Sequence, residues 1–115
     1  MLNYLCQLDP MPFTIWPFQD IQPNQSVFVE IFPRLYYVLA DQDPKIWGEL
    51  STVNNVLAYF RSQPLTDNSK ITSEDEADAI VSAAAIRHLA SNYKTWQPPE
   101  MDNCARVHEG WIFGV

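Results

Sequence analysis

The run Val27-Phe28-Val29-Glu30-Ile31-Phe32, closed at once by Pro33, is the feature that most limits how this chain can fold. All but one of its residues are β-branched or aromatic, so Ser26 to Phe32 is predicted to be a strand covered on both faces. Glu30 is the exception. A carboxylate in a buried strand is costly to desolvate unless it is paired, protonated or bound to a metal. Two readings follow: a metal-facing carboxylate at a strand's end, or a residue at an exposed edge or paired with Arg34.

Around that strand the chain predicts an α/β domain with two or so strands and three to four helices. Phe13 to Trp16 lies between Pro12 and Pro17, which confines it to a short strand. Pro33 suits the first turn of a helix over Arg34 to Ala40, and Asp41-Gln42-Asp43-Pro44 breaks it. Val53, Val56, Leu57 and Phe60 recur at the spacing of a buried helical stripe within Thr52 to Ser62, and Pro64 ends that helix. Gln63 to Thr72 reads as an exposed loop. The clearest helix comes next: Ser73 and Glu76 form a capping box, and an alanine-rich run continues to about Tyr93. Gln97-Pro98-Pro99-Glu100 interrupts regular structure, and the apolar tail from His108 to Val115 is expected to pack. Trp16, Phe18, Trp111 and Phe113 are expected to be plugs of a small core; stacking on nucleobases is the alternative. The opening Met1-Leu2-Asn3-Tyr4-Leu5-Cys6 has no start signal before it and reads like the tail of a helix.

At 115 residues the chain fits a single domain spanning 1–115. Its formal charge of −7 repels a phosphate backbone, which excludes a simple basic-patch binder of nucleic acid. It does not exclude an enzyme whose acidic cluster reaches phosphate through divalent cations. Cys6, Cys104, His88 and His108 lack zinc-ligand spacing, and two cysteines are far from a disulfide framework, so a reduced cytoplasmic protein is expected, a Cys6–Cys104 bridge being the alternative. His88 reads as a core or edge histidine. No apolar run approaches the ~20 residues of a membrane span.

On the alanine-rich helix, at about 100° per residue, Ala77, Val81, Ala84 and His88 share one side and Asp78 borders it. Asp75, one turn earlier, can point to the same edge of a sheet. Glu74 and Asp78 repel by roughly 0.2–0.5 kcal/mol, a cost that a bound cation would reverse. The alternative for these acids is capping that favours the helix dipole. Two-metal hydrolysis needs several carboxylates converging from different elements, and Glu30, Asp75 and Asp78 supply part of such a set.

Taken in order, Thr14-Ile15-Trp16-Pro17-Phe18, Val27-Phe28-Val29-Glu30-Ile31-Phe32-Pro33, Asp75-Glu76-Ala77-Asp78-Ala79 and Glu109-Gly110-Trp111-Ile112-Phe113 resemble the family called domain of unknown function 429, ribonuclease-H-like nucleases. The chain resembles only the C-terminal half of that family's domain. Phe32 stands where the family's motif has Tyr, and Glu76 where it has a small residue. The resemblance implies the C-terminal part of a ribonuclease-H-like fold and a hydrolase using Mg2+ or Mn2+. It makes Glu30 and Asp78 metal ligands, with Asp75 nearby as a further candidate. It also implies an N-terminal half carrying the first strands and a leading Asp, without which the chain is expected to be inactive alone. Completion would come from that half or from homo-oligomerisation through an exposed sheet, with nucleic acid bound only once the domain is complete. The other functional reading is a non-catalytic interaction module that self-associates or binds a partner through the same sheet.

Overall fold

The computed structural model describes Gln7 and residues 12–115. Two short strands, β1 (Phe13–Ile15) and β2 (Ser26–Phe28), pair in parallel, with Phe13 opposite Ser26, Thr14 opposite Val27 and Ile15 opposite Phe28. The chain is therefore a mixture of helix and strand. β1 ends at the cis peptide bond between Trp16 and Pro17. The expected strand Ser26 to Phe32 is shorter than its apolar content suggested. After Phe28 only Glu30 still pairs, through an isolated parallel bridge to Ile112.

Four α-helices follow: α1 (Pro33–Leu39), α2 (Leu50–Tyr59), α3 (Glu74–Leu89) and α4 (Tyr93–Trp96). Pro33 opens α1, as its fixed φ and missing N–H allow. A single 3-10 turn over Pro44–Ile46, capped by Asp43 through the amide of Lys45 at 2.9 Å, joins α1 to α2. α3 starts at the expected cap. The Ser73 hydroxyl accepts from the Glu76 amide at 3.1 Å, and the Glu76 carboxylate accepts from the amide and hydroxyl of Thr72, both at 2.7 Å. The reciprocal bond thus reaches one residue further back than in the usual capping box. Glu74, Asp75 and Glu76 sit at the positive end of the helix dipole, and Arg87 and His88 at the negative end. α3 stops at Leu89, short of the expected Tyr93, because Asn92 starts a new cap: its side chain accepts from the Lys94 amide and begins α4.

The core forms where α1 and α2 pack on α3. Small residues of α3 (Ala77, Ala84 and Ala85, with Val81) are buried against Tyr36 and Tyr37 of α1 and Val53, Val56 and Leu57 of α2. Short side chains on the central helix let both neighbours approach closely, and the aromatic rings fill the space between them. Phe60, just past α2, meets Tyr36 edge-on with ring centroids 5.9 Å apart. His88 lies 6.0 Å from the Phe60 ring and is half-buried, an edge histidine as expected. Arg87 donates to the Arg61 carbonyl at 2.7 Å, which caps the end of α2 from α3.

A second aromatic cluster joins the sheet to the C-terminal tail. Phe113 is fully buried against Trp16 at 5.5 Å and Trp96 at 4.7 Å. The Tyr36 hydroxyl donates to the Phe113 carbonyl at 3.1 Å, linking this cluster to the helical core. Trp16 and Phe113 are core plugs as expected, whereas Phe18 is half exposed. A π-helical turn over Ala105–Glu109, which the sequence pattern did not suggest, leads into the tail. Gly110 and Gly114 take positive φ values of 85° and 98° around it.

Candidate functional site

In a strand, successive residues present their backbone groups to alternate sides. The Trp16 amide donates to the Phe28 carbonyl at 3.0 Å, and the Phe113 amide donates to the Glu30 carbonyl at 2.8 Å. Phe28 and Glu30 therefore bond on the same side, so the tail continues the lane that β1 leaves at Trp16. Val27 and Val29 face the opposite side. Among the described residues their N–H and C=O groups meet no partner, and the outer edge of β2 is open. On the outer edge of β1 the backbone groups of Ile15 are taken up: the Gln19 side chain accepts from the Ile15 amide at 2.9 Å, and the Gln19 amide donates to the Ile15 carbonyl at 3.0 Å.

Side chains alternate along the same segment. Val27, Val29 and Ile31 are half-buried on one face, where Val27 lines a cleft shared with Trp16 and Trp96 and Ile31 packs on the helical core. Ser26, Phe28, Glu30 and Phe32 are exposed on the other face, Phe28 at 47% and Phe32 at 50%. The expectation of a strand covered on both faces is thus corrected: one face of β2 is open. Glu30 lies on that open face, between two exposed phenylalanines, where water supplies its solvation.

Arg34 does not pair with Glu30. It crosses from α1 to α3 and meets Glu74 at 3.5 Å, a solvent-exposed contact. Below it, Asp78 is half-buried where α3 packs on α1. Burial first, and then the carboxylates of Glu74 and Asp75, hold the Asp78 carboxyl above the usual range, with Arg34 pulling the other way. The Tyr37 hydroxyl on α1 is pushed up to about 12 by burial and by Asp78 and Glu74. It is buried with no hydrogen-bond partner among the described residues, as is the Ser82 hydroxyl one turn beyond Asp78. Asp75 itself is exposed.

Glu30 thus follows the C-terminal end of the parallel pair, and Asp78 stands in the first turns of the helix that α1 packs against. Among the described residues no group of three or more His, Cys, Asp or Glu side chains is arranged to hold a metal ion, so Glu30, Asp75 and Asp78 do not make such a group by themselves. Cys104 is an exposed free thiol near Glu109, and Cys6 lies outside the described residues, as does the apolar opening segment. No helix among the described residues is long and apolar enough to cross a membrane.

Sequence reasoning singled out the carboxylates but not the open edge formed by Val27 and Val29. The only signal for the edge was the proline pair around β1, which limits that strand to one short lane. No protein-family model, curated protein or solved structure matches the chain.

Proposed function

We propose that the chain is an association module whose sheet is extended by another strand along the open edge of β2, in the simplest case the β2 of a second copy. The observation that carries this reading is the row of backbone groups at Val27 and Val29 that meet no partner among the described residues, whereas those of Ile15 on the outer edge of β1 are taken up by Gln19. An open strand edge is a template for pairing. Phe28 and Phe32 on the adjoining face offer apolar surface that a partner would cover. Two copies related by a twofold axis would each present the same edge, the commonest form of closed assembly.

The test is sedimentation velocity over a dilution series of the chain and of Val29→Pro, which removes one N–H from the outer edge. Self-association in the parent chain and its loss in the variant support the reading. A parent chain that stays monomeric at every concentration contradicts pairing between copies.

A second reading, the metal-ligand-bearing part of a ribonuclease-H-like nuclease, is favoured by two observations. Asp78 is an acid whose charge is disfavoured where it stands, and Glu30 follows the carboxyl end of the parallel strands, the usual position of ligand sites in such sheets. On this reading further carboxylates come with the strand that extends the sheet, and a Mg2+ or Mn2+ ion bridges them to a nucleic-acid phosphate. The discriminating experiment is thermal melting with and without Mn2+ for the parent chain, Asp78→Asn and Glu30→Gln, alone and in the associated form. A metal-dependent rise in melting temperature confined to the associated parent chain supports the nuclease reading.

A further inference from the structure

A cleft of about 830 Å3 opens beside the sheet, between the loop after β1 and the segment from α4 to the π-helical turn. That volume falls in the range of built ligand sites, ~300–1,000 Å3. Its walls are unusually rich in rings: Trp16, Pro17, Tyr93, Trp96, Pro98 and Pro99.

The walls are set before any ligand arrives. The Trp16 indole N–H donates to the Trp96 carbonyl at 3.0 Å, and the Trp96 indole N–H donates to the Ala90 carbonyl at 2.8 Å. Both donors are therefore satisfied within the fold, and the rings offer apolar edges and faces. Trp96 is further held against Phe113. Tyr93 lies three residues before Trp96 on the same face of α4 and is 71% exposed. Across the mouth, Arg106 is paired with Asp20, 86 residues away in sequence, which ties the two walls together.

The cleft also holds polar side chains that can donate to a ligand as well as accept from it. The Tyr93 hydroxyl and the Gln97 side-chain amide make no hydrogen bond among the described residues. A proline-rich segment in the polyproline II conformation is the complementary ligand. It has no backbone N–H at proline and no internal hydrogen bonds, so it presents carbonyl acceptors and flat rings. Aromatic grooves with a few donors recognise such segments because the ligand is already ordered. Asp20, Glu100 and Asp102 lie on or beside the lining, and the whole chain carries −7, so basic residues flanking the prolines are favoured.

We infer that this cleft is a binding site for a proline-rich peptide flanked by basic residues, held by ring packing on Tyr93 and Trp96 and by donation from Tyr93 and Gln97 to its carbonyls. Val27 of β2 lines the cleft as well, so the site adjoins the outer edge of β2, and the titration is run at concentrations below those at which the chain associates.

The test uses an arginine-flanked oligoproline peptide, with a glycine-serine peptide bearing the same arginines as control, titrated into the isotope-labelled full chain. The four indole N–H signals report position. The expected result is a saturable shift at Trp96 and at the Gln97 amide, with Trp47 in the helical core unmoved. Tyr93→Ala is expected to weaken binding about tenfold while the remaining spectrum keeps its dispersion. Equal shifts with the control peptide, unchanged affinity in Tyr93→Ala, or no saturation overturn the proposal. Saturable binding of indole with none of oligoproline overturns it as well, in favour of a small aromatic ligand.

Discussion

The carbonyl of Glu30 accepts the amide proton of Phe113 at 2.8 Å, and that single bond carries the tail into the lane that β1 vacates. It also fixes which side of β2 is used, since Phe28 and Glu30 then bond in one direction and Val27 and Val29 are left facing the other. The tail is thus part of the sheet, and its side chains serve both the aromatic cluster and the helical core.

Phe113→Ala is expected to destabilise the fold by about 3–5 kcal/mol, because it removes a fully buried ring that touches Trp16 and Trp96. Urea unfolding followed by tryptophan fluorescence measures this. A loss below about 1 kcal/mol would mean that the tail does not close the core.

Gly114 adopts φ +98°, and a Cβ built on it would stand 2.8 Å from Leu89 Cδ1 and 3.4 Å from Tyr36 Cε1. Gly114→Ala therefore meets both an unfavourable backbone conformation and a crowded neighbour. A loss of about 1–3 kcal/mol is expected in the same urea experiment. Gly48→Ala, with open space around it, serves as the control and should change little.

Asp78 gives a pH dependence with a definite sign. Its carboxyl is held above the usual range, so the folded state binds the proton more tightly than the unfolded chain does. The associated stability is present below the unfolded value, ordinarily about 3.9, and is lost as pH rises through the folded value. Asp78→Asn should therefore melt at a higher temperature than the parent chain at neutral pH, the two converging in acid. A variant that melts lower at neutral pH would show that the charge is stabilised by a partner.

Glu76 works in the opposite direction. Hydrogen bonds from Thr72, that from its amide first, hold the Glu76 carboxyl below its usual range. Its contribution is present above the unfolded value and is lost as pH falls through the folded one. Glu76→Gln should flatten the acid limb of the melting profile. Ser73→Ala, which removes the other half of the cap, should cost about 1 kcal/mol at any pH.

The helical half of the molecule was legible because periodicity and capping chemistry act locally. Val53, Val56, Leu57 and Phe60 form the buried stripe their spacing predicts, and Ser73 with Glu76 marks the start of α3. The sheet was legible in kind but not in extent. Apolar content called for a strand to Phe32, yet ladder pairing stops at Phe28, because β1 ends at Pro17 and only the short tail follows it in the same lane. Which side of a strand finds a partner depends on chain segments far away in sequence, and alternation alone cannot say it. The carboxylates show the same limit. Local sequence placed Asp78 beside the packed face, but the choice of Arg34 for Glu74 over Glu30 follows from how α1 lies on α3.

The central claim is that the outer edge of β2 is a pairing surface, and amide hydrogen exchange at Val27 and Val29 tests it most directly. In dilute solution both amides should exchange at nearly unprotected rates. At concentrations where the chain associates they should become protected together, and Val29→Pro should abolish the protection of Val27. Protection already complete in the monomer, or none in the associated form, would contradict the account.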